Sequence, residues 1–359
     1  MQALGAYAFL GIEKKKESYF EFIPQALDYF FEYVKELCSA RSEFKFELLM
    51  DALLSVKPER VQKFGKTLMK QQKNKTEKKF KLMNAGRTDI GCVRSNNEDS
   101  FSVDSDFGCY IVSDGMGGAL AGEVASEMVA NQLPEILKKE LPAKIPDIMA
   151  DEVREAVYRA VDEINNRVCE RSKTDPDCAG MGATLVMALV RNNQAMIIHA
   201  GDSRAYLLRE GKLSRLTKDH NMLQVLLDEG VVTPDEAVGH PAGYELLCDI
   251  GMPEGMYVDI LYLDMMPDDK ILLCTDGLND MVPDEILKIV LSRPAPLDDI
   301  CREMVLLARE AGGYDNITAL ILECDTGGTK IQKTLKKKRR THRNEDDVDT
   351  RIMKAIPKQ

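Results

Sequence analysis

Positive charge is scarce in the middle of this chain. Residues 86–325 carry 21 Lys/Arg against 44 Asp/Glu, whereas residues 1–85 (16 against 11) and 326–359 (11 against 4) are basic. Phosphate backbones need positive charge, so the acidic middle argues against nucleic acid as its ligand and invites cations. Long apolar runs are missing as well. No segment reaches the roughly 18 apolar residues of a membrane helix, which excludes a helical membrane span. The apolar start, ALGAYAFLGI, is short, and its lysines (Lys14, Lys15, Lys16) follow it, whereas a secretory signal carries positive charge first. The sequons at Asn74 and Asn316 are then coincidental. Nine cysteines are scattered without a C-x-x-C pair, so neither a zinc ribbon nor a redox motif is suggested. Cys109, Cys274 and Cys301 sit in apolar runs, where a free thiol acts as a small hydrophobe. A reduced, cytoplasmic compartment fits. Nucleotide-handling signatures are absent. There is no GxxxxGK[ST] loop, and the DFG at Asp106 to Gly108 has no glycine-rich loop, VAIK-like lysine or HRD loop beside it, so it reads as a turn.

What is present falls into three parts. Residues 1–80 read as a helical extension: FIPQALDYFFEYVKEL spaces its apolar residues three and four apart, a second short helix can begin at Pro58, and a lysine-rich linker follows. From 81 to 325 short apolar runs alternate with turn residues and amphipathic helical stretches. LVMALV-RNNQ-AMIIHA and AYLL-REGK-LSRL predict hairpins. Tight hairpins mixed with long helices predict antiparallel sheets covered by helices, an α+β fold. Residues 326–359 form a basic-then-acidic tail expected to be disordered.

One pattern recurs inside the middle part. An apolar run ends in an aspartate followed by a small residue: YIVSDG (Asp114, Gly115), MIIHAGDS (Asp202), ILLCTDG (Asp276). GGYDNIT places Asp315 just before another strand. A single Asp-Gly after a strand is a common turn. Carboxylates gathered at neighbouring strand ends, however, repel one another unless a cation sits between them. An all-oxygen donor set suits Mg²⁺ or Mn²⁺ rather than zinc. The stretch GCVRSNNEDSF adds Glu98 or Asp99 to such a cluster, and Arg94 offers a fork that fits two phosphate oxygens.

VRSNNEDS, VSDGMGG, GATLVMALV, AGDSRAYLL, LTKDHN, CTDGLND and GGYDNIT occur in this order between about Gly86 and Glu323. In them the chain resembles the metal-dependent protein serine/threonine phosphatases of the PP2C (PPM) family, bacterial type. The resemblance implies an α-β-β-α sandwich of two antiparallel sheets flanked by helices. It implies hydrolysis of phosphoserine and phosphothreonine on proteins by a water that bridges two Mg²⁺ or Mn²⁺ ions. Asp114 would bridge the ions, the Gly115 carbonyl would bind one, Asp276 and Asp315 would hold the other, and Glu98 would support the cluster. Arg94 would bind the substrate phosphate. Asp202 and Asp280 match positions that hold a third, weaker metal in bacterial members, and residues 217–243 match the flap beside the site. Where many eukaryotic members read DGHGG, with a histidine proposed as general acid, this chain has Met116, which cannot donate a proton. The expected partners are phosphoprotein substrates and a cognate Ser/Thr kinase, with no membrane.

Among the histidines, His220 in KDHN reads as a structural hydrogen-bonder and His199 as packed, while His240 stands between substrate contact and plain loop. Two rival functions remain: a metal-free pseudophosphatase, and a hydrolase of small phosphate esters.

Overall fold

The computed structural model describes residues 80–117, 121–141, 147–237 and 239–325. Among them lie eleven strands: β1 (Lys81–Asp89), β2 (Asp99–Asp104), β3 (Cys109–Met116), β4 (Gly182–Ala183), β5 (Leu185–Arg191), β6 (Gln194–Ala200), β7 (Arg204–Arg209), β8 (Lys212–Arg215), β9 (Asp259–Asp264), β10 (Lys270–Cys274) and β11 (Ile317–Asp325). The described α-helices are α1 (Ala121–Glu140), α2 (Asp151–Thr174), α3 (Met222–Asp228), α4 (Asp276–Asn279), α5 (Asp284–Leu291) and α6 (Leu297–Glu310). The extension expected over 1–80, apart from Phe80, and the tail over 326–359 lie outside the described residues.

The strands build two antiparallel sheets. One runs β1-β11-β10-β7-β8, and the other runs β2-β3-β5-β6-β9 with β4 added against β3. Side chains alternate across a strand, and here both faces are covered. In β3, Tyr110 and Val112 join Val186, Ile271, Leu273 and Leu320 in the core between the sheets. Its alternate residues Cys109 and Ile111 pack outward with Leu133 of α1 and Val157 of α2. In β10 the same split sends Leu272 and Cys274 outward to Leu287 of α5 and Met304 of α6. This double burial explains why these strands read as continuous apolar runs rather than as polar-apolar alternation. The result is the four-layer α-β-β-α sandwich that the motif order implied.

Both expected hairpins form. Asn192 and Asn193 link β5 to β6 with φ of 48° and 65°, and Glu210 and Gly211 link β7 to β8 with φ of 51° and 76°. Two-residue loops with positive φ at both positions match the right-handed twist of the strands they join. The sequence reading did not single out α5. Its Ile286, Leu287, Val290 and Leu291 are nevertheless spaced for one helix face and are all buried.

Leu273 is fully buried between the sheets. Leu273→Ala should therefore lower the unfolding free energy by about 2–5 kcal/mol. Val231→Ala, at a side chain 65% exposed, should change it by less than about 0.5 kcal/mol. Urea unfolding of the full chain checks both.

Candidate active site

The aspartates singled out in the sequence converge where strand ends of the two sheets meet. Asp114 lies near the end of β3 and pairs across the ladder with Asp99 at the start of β2. Thr184 ties Asp114 to the neighbouring chain: its N–H donates to the Asp114 carbonyl at 2.8 Å, and its hydroxyl accepts from the Asp114 N–H at 2.9 Å. Asp276 opens α4 directly after β10, and Asp280 follows that helix. Asp202 sits in the turn between β6 and β7, and Asp315 lies two residues before the start of β11.

Burial pushes the Asp114 carboxyl well above the carboxylate range, and Asp99, Asp276, Asp202 and Asp315 push it further. Asp276 is displaced upward in the same way, by burial and then by Asp202, Asp280, Asp315 and Asp99. Burial followed by Asp219 and Asp280 raises Asp202 to about 7. Burial also raises Asp280, against the opposing charge of Arg204. Glu98 is raised by burial too, with Arg94 opposing. Asp114, Asp202, Asp276 and Asp280 are linked in this way through Asp276, and Asp315 acts on Asp114, Asp276, Asp280 and Glu98, so the acids form a cluster of negative charge.

The donor set fits a divalent cation. Asp276 Oδ1 and Asp99 Oδ1 are buried without a hydrogen-bond partner among the described residues. An orphaned buried oxygen of this kind is costly unless something outside the chain satisfies it. The backbone at Gly115 is also packed for close approach: a Cβ there would lie 1.9 Å from the Gly122 carbonyl oxygen and 2.7 Å from that of Glu98. A Cβ on Gly122 would lie 2.7 Å from both Glu98 Oε2 and the Gly115 oxygen, so those two oxygens converge on one spot. The groups named here offer oxygen donors, the chemistry that Mg²⁺ and Mn²⁺ take.

Neutral side chains hold this arrangement, and the sequence reading assigned them no role. Asn316 donates to the carbonyls of Ile90 at 3.0 Å and Asn96 at 2.9 Å, and its Oδ1 accepts from the Glu98 N–H at 2.8 Å. One side chain thus fastens both ends of the loop that carries Arg94. From that loop Arg94 donates to Asp315 Oδ2 at 2.7 Å, and its side chain is about half exposed. Asp99 Oδ2 accepts from Thr275 at 2.8 Å and Thr318 at 2.6 Å. Burial still raises its carboxyl to about 7, against the pull of those hydroxyls. Asp99 is therefore a buried support beside Asp114, with Glu98 at the surface of the cluster. The signal for Asn316, Thr275 and Thr318 was present in GGYDNIT and CTDGLND, but their neutral side chains carry no charge pattern to read.

The histidines take structural places. His220 Nδ1 accepts from the Gly201 N–H at 3.3 Å, which assigns the proton to Nε2, and Nε2 faces Asp259 Oδ2 at 3.1 Å. His199 packs against that ring at a centroid distance of 4.5 Å, and burial holds its pKa down at about 3. His240 caps the short 3₁₀ turn Pro241–Tyr244 by accepting from the Ala242 N–H at 3.2 Å. The flap segment contains α3 and this turn. It is anchored by the Asn221 side chain donating to the Gly243 carbonyl at 3.0 Å and by the Met222 N–H donating to Glu245 at 2.9 Å.

A two-sheet sandwich with a cluster of acids at its strand ends and an arginine at its rim fits the class of metal-dependent phosphoester hydrolases. Comparisons with known proteins give the family. The protein phosphatase 2C profile matches residues 93–320. The serine/threonine phosphatase stp of Listeria monocytogenes serotype 4b is 35% identical over 242 residues, 67% of this chain and 94% of that protein. The crystal structure of the Mycobacterium tuberculosis serine/threonine phosphatase PstP/Ppp aligns with a TM-score of 0.60 at 34% identity, covering 68% of this chain and 99% of that one. The catalytic domain of PstP in complex with 2 manganese ions aligns with a TM-score of 0.59 at 35% identity, covering 68% and 98%. The chain belongs to the protein phosphatase 2C family.

Two outcomes follow for the site. Gly115→Ala should weaken Mn²⁺ binding by at least about tenfold in calorimetric titration, because the added methyl must move the Gly122 or Glu98 backbone; unaltered binding would separate Gly115 from the cation site. The raised carboxyls also set a sign for stability. Asp99 and Asp202 bind protons more tightly folded than unfolded, so in EDTA stability should fall as pH rises from about 4 through about 7. Mn²⁺ should then raise the melting temperature more at pH 8 than at pH 5.

Proposed function

We propose that residues 81–325 are the catalytic domain of this serine/threonine phosphatase and that they release phosphate from phosphoserine and phosphothreonine on proteins. Asp114, Gly115, Asp276 and Asp315 hold two divalent ions, with Glu98 beside them. Asp202 and Asp280 hold a third, weaker one. Bound Mg²⁺ or Mn²⁺ supplies an activated water and offsets the charge on phosphorus.

The chain's own residues do the rest. Arg94 turns its fork to two oxygens of the substrate phosphate, a charge-assisted contact that both binds and orients. Asn316 keeps the Arg94 loop in place, and Asp99, held by Thr275 and Thr318, supports the Asp114 strand. The observation that carries this reading is the buried Asp276 Oδ1, unpartnered among the described residues and crowded by Asp202, Asp280 and Asp315. Such an oxygen calls for a cation that the protein itself does not provide.

The same observation weighs against the pseudophosphatase. Phosphorylated proteins are the substrates, and a cognate Ser/Thr kinase is the expected opposing partner. The scattered cysteines, without C-x-x-C spacing, support the cytoplasm as the compartment. No described helix is long and apolar enough to cross a membrane.

Phosphate release from a phosphothreonine peptide should require Mn²⁺ or Mg²⁺ and stop in EDTA. Asp276→Asn should lower turnover by at least about 10³-fold while the melting temperature in EDTA is kept or raised. Arg94→Ala should reduce kcat/KM on the peptide by about 10²-fold with Mn²⁺ affinity within about threefold of the parent. Loss of metal binding in Arg94→Ala would make this arginine structural. Faster hydrolysis of nucleotides than of the peptide would favour the small-ester reading.

A further inference from the structure

Among the described residues one buried carboxyl near the site has no task in this scheme. Asp249 is only 9% exposed, and it makes no hydrogen bond or ion pair among the described residues. Its place in the fold is well defined. β4 lies between β3 and the segment that carries Asp249: Met116 pairs with Gly182, Gly115 pairs with Ala183, and Ala183 pairs in turn with Ile250. Side chains two residues apart share a face of a sheet, so Met116 projects from the same face as Asp114. Gly182 opens space on that face. A Cβ built there would lie 2.7 Å from Asp249 Oδ1 and 2.9 Å from Met116 Cε. The Asp249 carboxyl and the tip of Met116 therefore fill one gap from its two sides, on the face that carries the metal cluster.

We infer that Asp249 is a catalytic residue: it holds a proton at the Met116 side of the site and gives it to the leaving oxygen of the phosphorylated serine or threonine. In the step, the oxygen of water forms a bond to phosphorus while the bond from phosphorus to the side-chain oxygen breaks. The electron pair of the broken bond stays on that oxygen, which takes the Asp249 proton and leaves as a neutral alcohol. The attacking water leaves its proton with phosphate or solvent, and the Asp249 carboxylate regains one from solvent. Water is consumed, and alcohol and phosphate are the products. No other reactant is needed.

Three observations support this assignment. Burial alone pushes the Asp249 carboxyl up to about 6, and no opposing cation pulls it back. Among the described residues the thiols of Cys169 in α2 and the adjacent Cys248 feel its charge. It is thus a proton-holding group close to neutrality, the range in which a general acid works best. The second is Met116, which occupies the near side of the gap and has no proton to give. The third is specificity of placement: a carboxyl with only a structural role finds donors, as Asp269 does with Arg209 and the Met266 N–H, and Asp249 finds none among the described residues.

The test compares leaving groups in the full-length enzyme with Mn²⁺. A serine or threonine alkoxide needs a proton to depart, whereas p-nitrophenolate departs without one. Asp249→Asn should cut kcat on a phosphothreonine peptide by about 10²-fold, the effect of a positioned acid, and cut kcat on p-nitrophenyl phosphate by a factor at least about 30 times smaller. Asp249→Ala should show the same ratio. The ratio of two turnovers in one preparation does not depend on the fraction of folded enzyme, so a destabilised variant still reports. Met116→His in the Asp249→Asn background should recover about tenfold on the peptide. Equal losses on both substrates, or no loss on the peptide, would overturn the role of Asp249. The inference rests on the phosphatase reading, and failure of the parent enzyme on both substrates would remove that reading instead.

Discussion

Mutual repulsion among buried carboxylates is the constraint around which this protein is built. Asp114, Asp202, Asp276 and Asp280 come from both sheets, and each is raised by burial and by its neighbours. Without a cation such a cluster works against the fold, since each ionised group lacks both water and a partner. The sandwich tolerates it because the energy is supplied elsewhere. Three apolar layers, one between the sheets and one under each pair of helices, keep the strand ends in register while the charges strain them apart.

The chain treats its other buried acids differently. Asp219 receives three bonds from Arg204, at 3.1, 3.2 and 2.7 Å, and a fourth from Arg215. Asp269 receives a bidentate clamp from Arg209 at 2.9 and 2.6 Å. Those acids are closed structural joints, fully paired and available to nothing else. Among the acids of the site Asp315 meets Arg94, while Asp114, Asp202, Asp276 and Asp280 receive no arginine clamp among the described residues, and the other side chains that hold the site in place are neutral: Thr184, Thr275, Thr318 and Asn316. Neutral holders fix position without cancelling charge. This division between clamped acids such as Asp219 and Asp269 and unclamped ones such as Asp114 and Asp276 separates scaffold from site more sharply than burial does, because both kinds are buried.

The loop of Arg94 shows the same economy of charge. Its guanidinium pairs with Asp315 at 2.7 Å yet stays about half exposed. One fork can therefore face both the cluster and an arriving phosphate. The loop itself depends on Asn316, a residue distant from it in sequence, and on Gly91, whose φ of 80° and close approach to the Asp315 carbonyl exclude a side chain.

Much of this was legible in the order of residues alone. Apolar runs that stop at Asp-Gly mark strand ends, the Asn-Asn and Glu-Gly pairs mark tight hairpins, and an aspartate is an acceptor wherever it falls, so the donor set and the hairpins followed from local chemistry. The helix α5 was harder to see, since eight residues with apolar spacing look like many short runs. The holders of the site were invisible for a different reason. A threonine or asparagine declares no role until a partner is placed within about 3 Å of it, and those partners are more than a hundred residues away for Asn316 and Thr318. Sequence by itself thus determined which groups could bind a cation and where strands would end. Tertiary structure decided which acids were paired off and which were left open, that Asp249 lies beside Met116, and that His220 turns to Asp259 rather than to the site. Charge and turn preference are properties of single residues and their neighbours, whereas burial and pairing belong to the packed sheets.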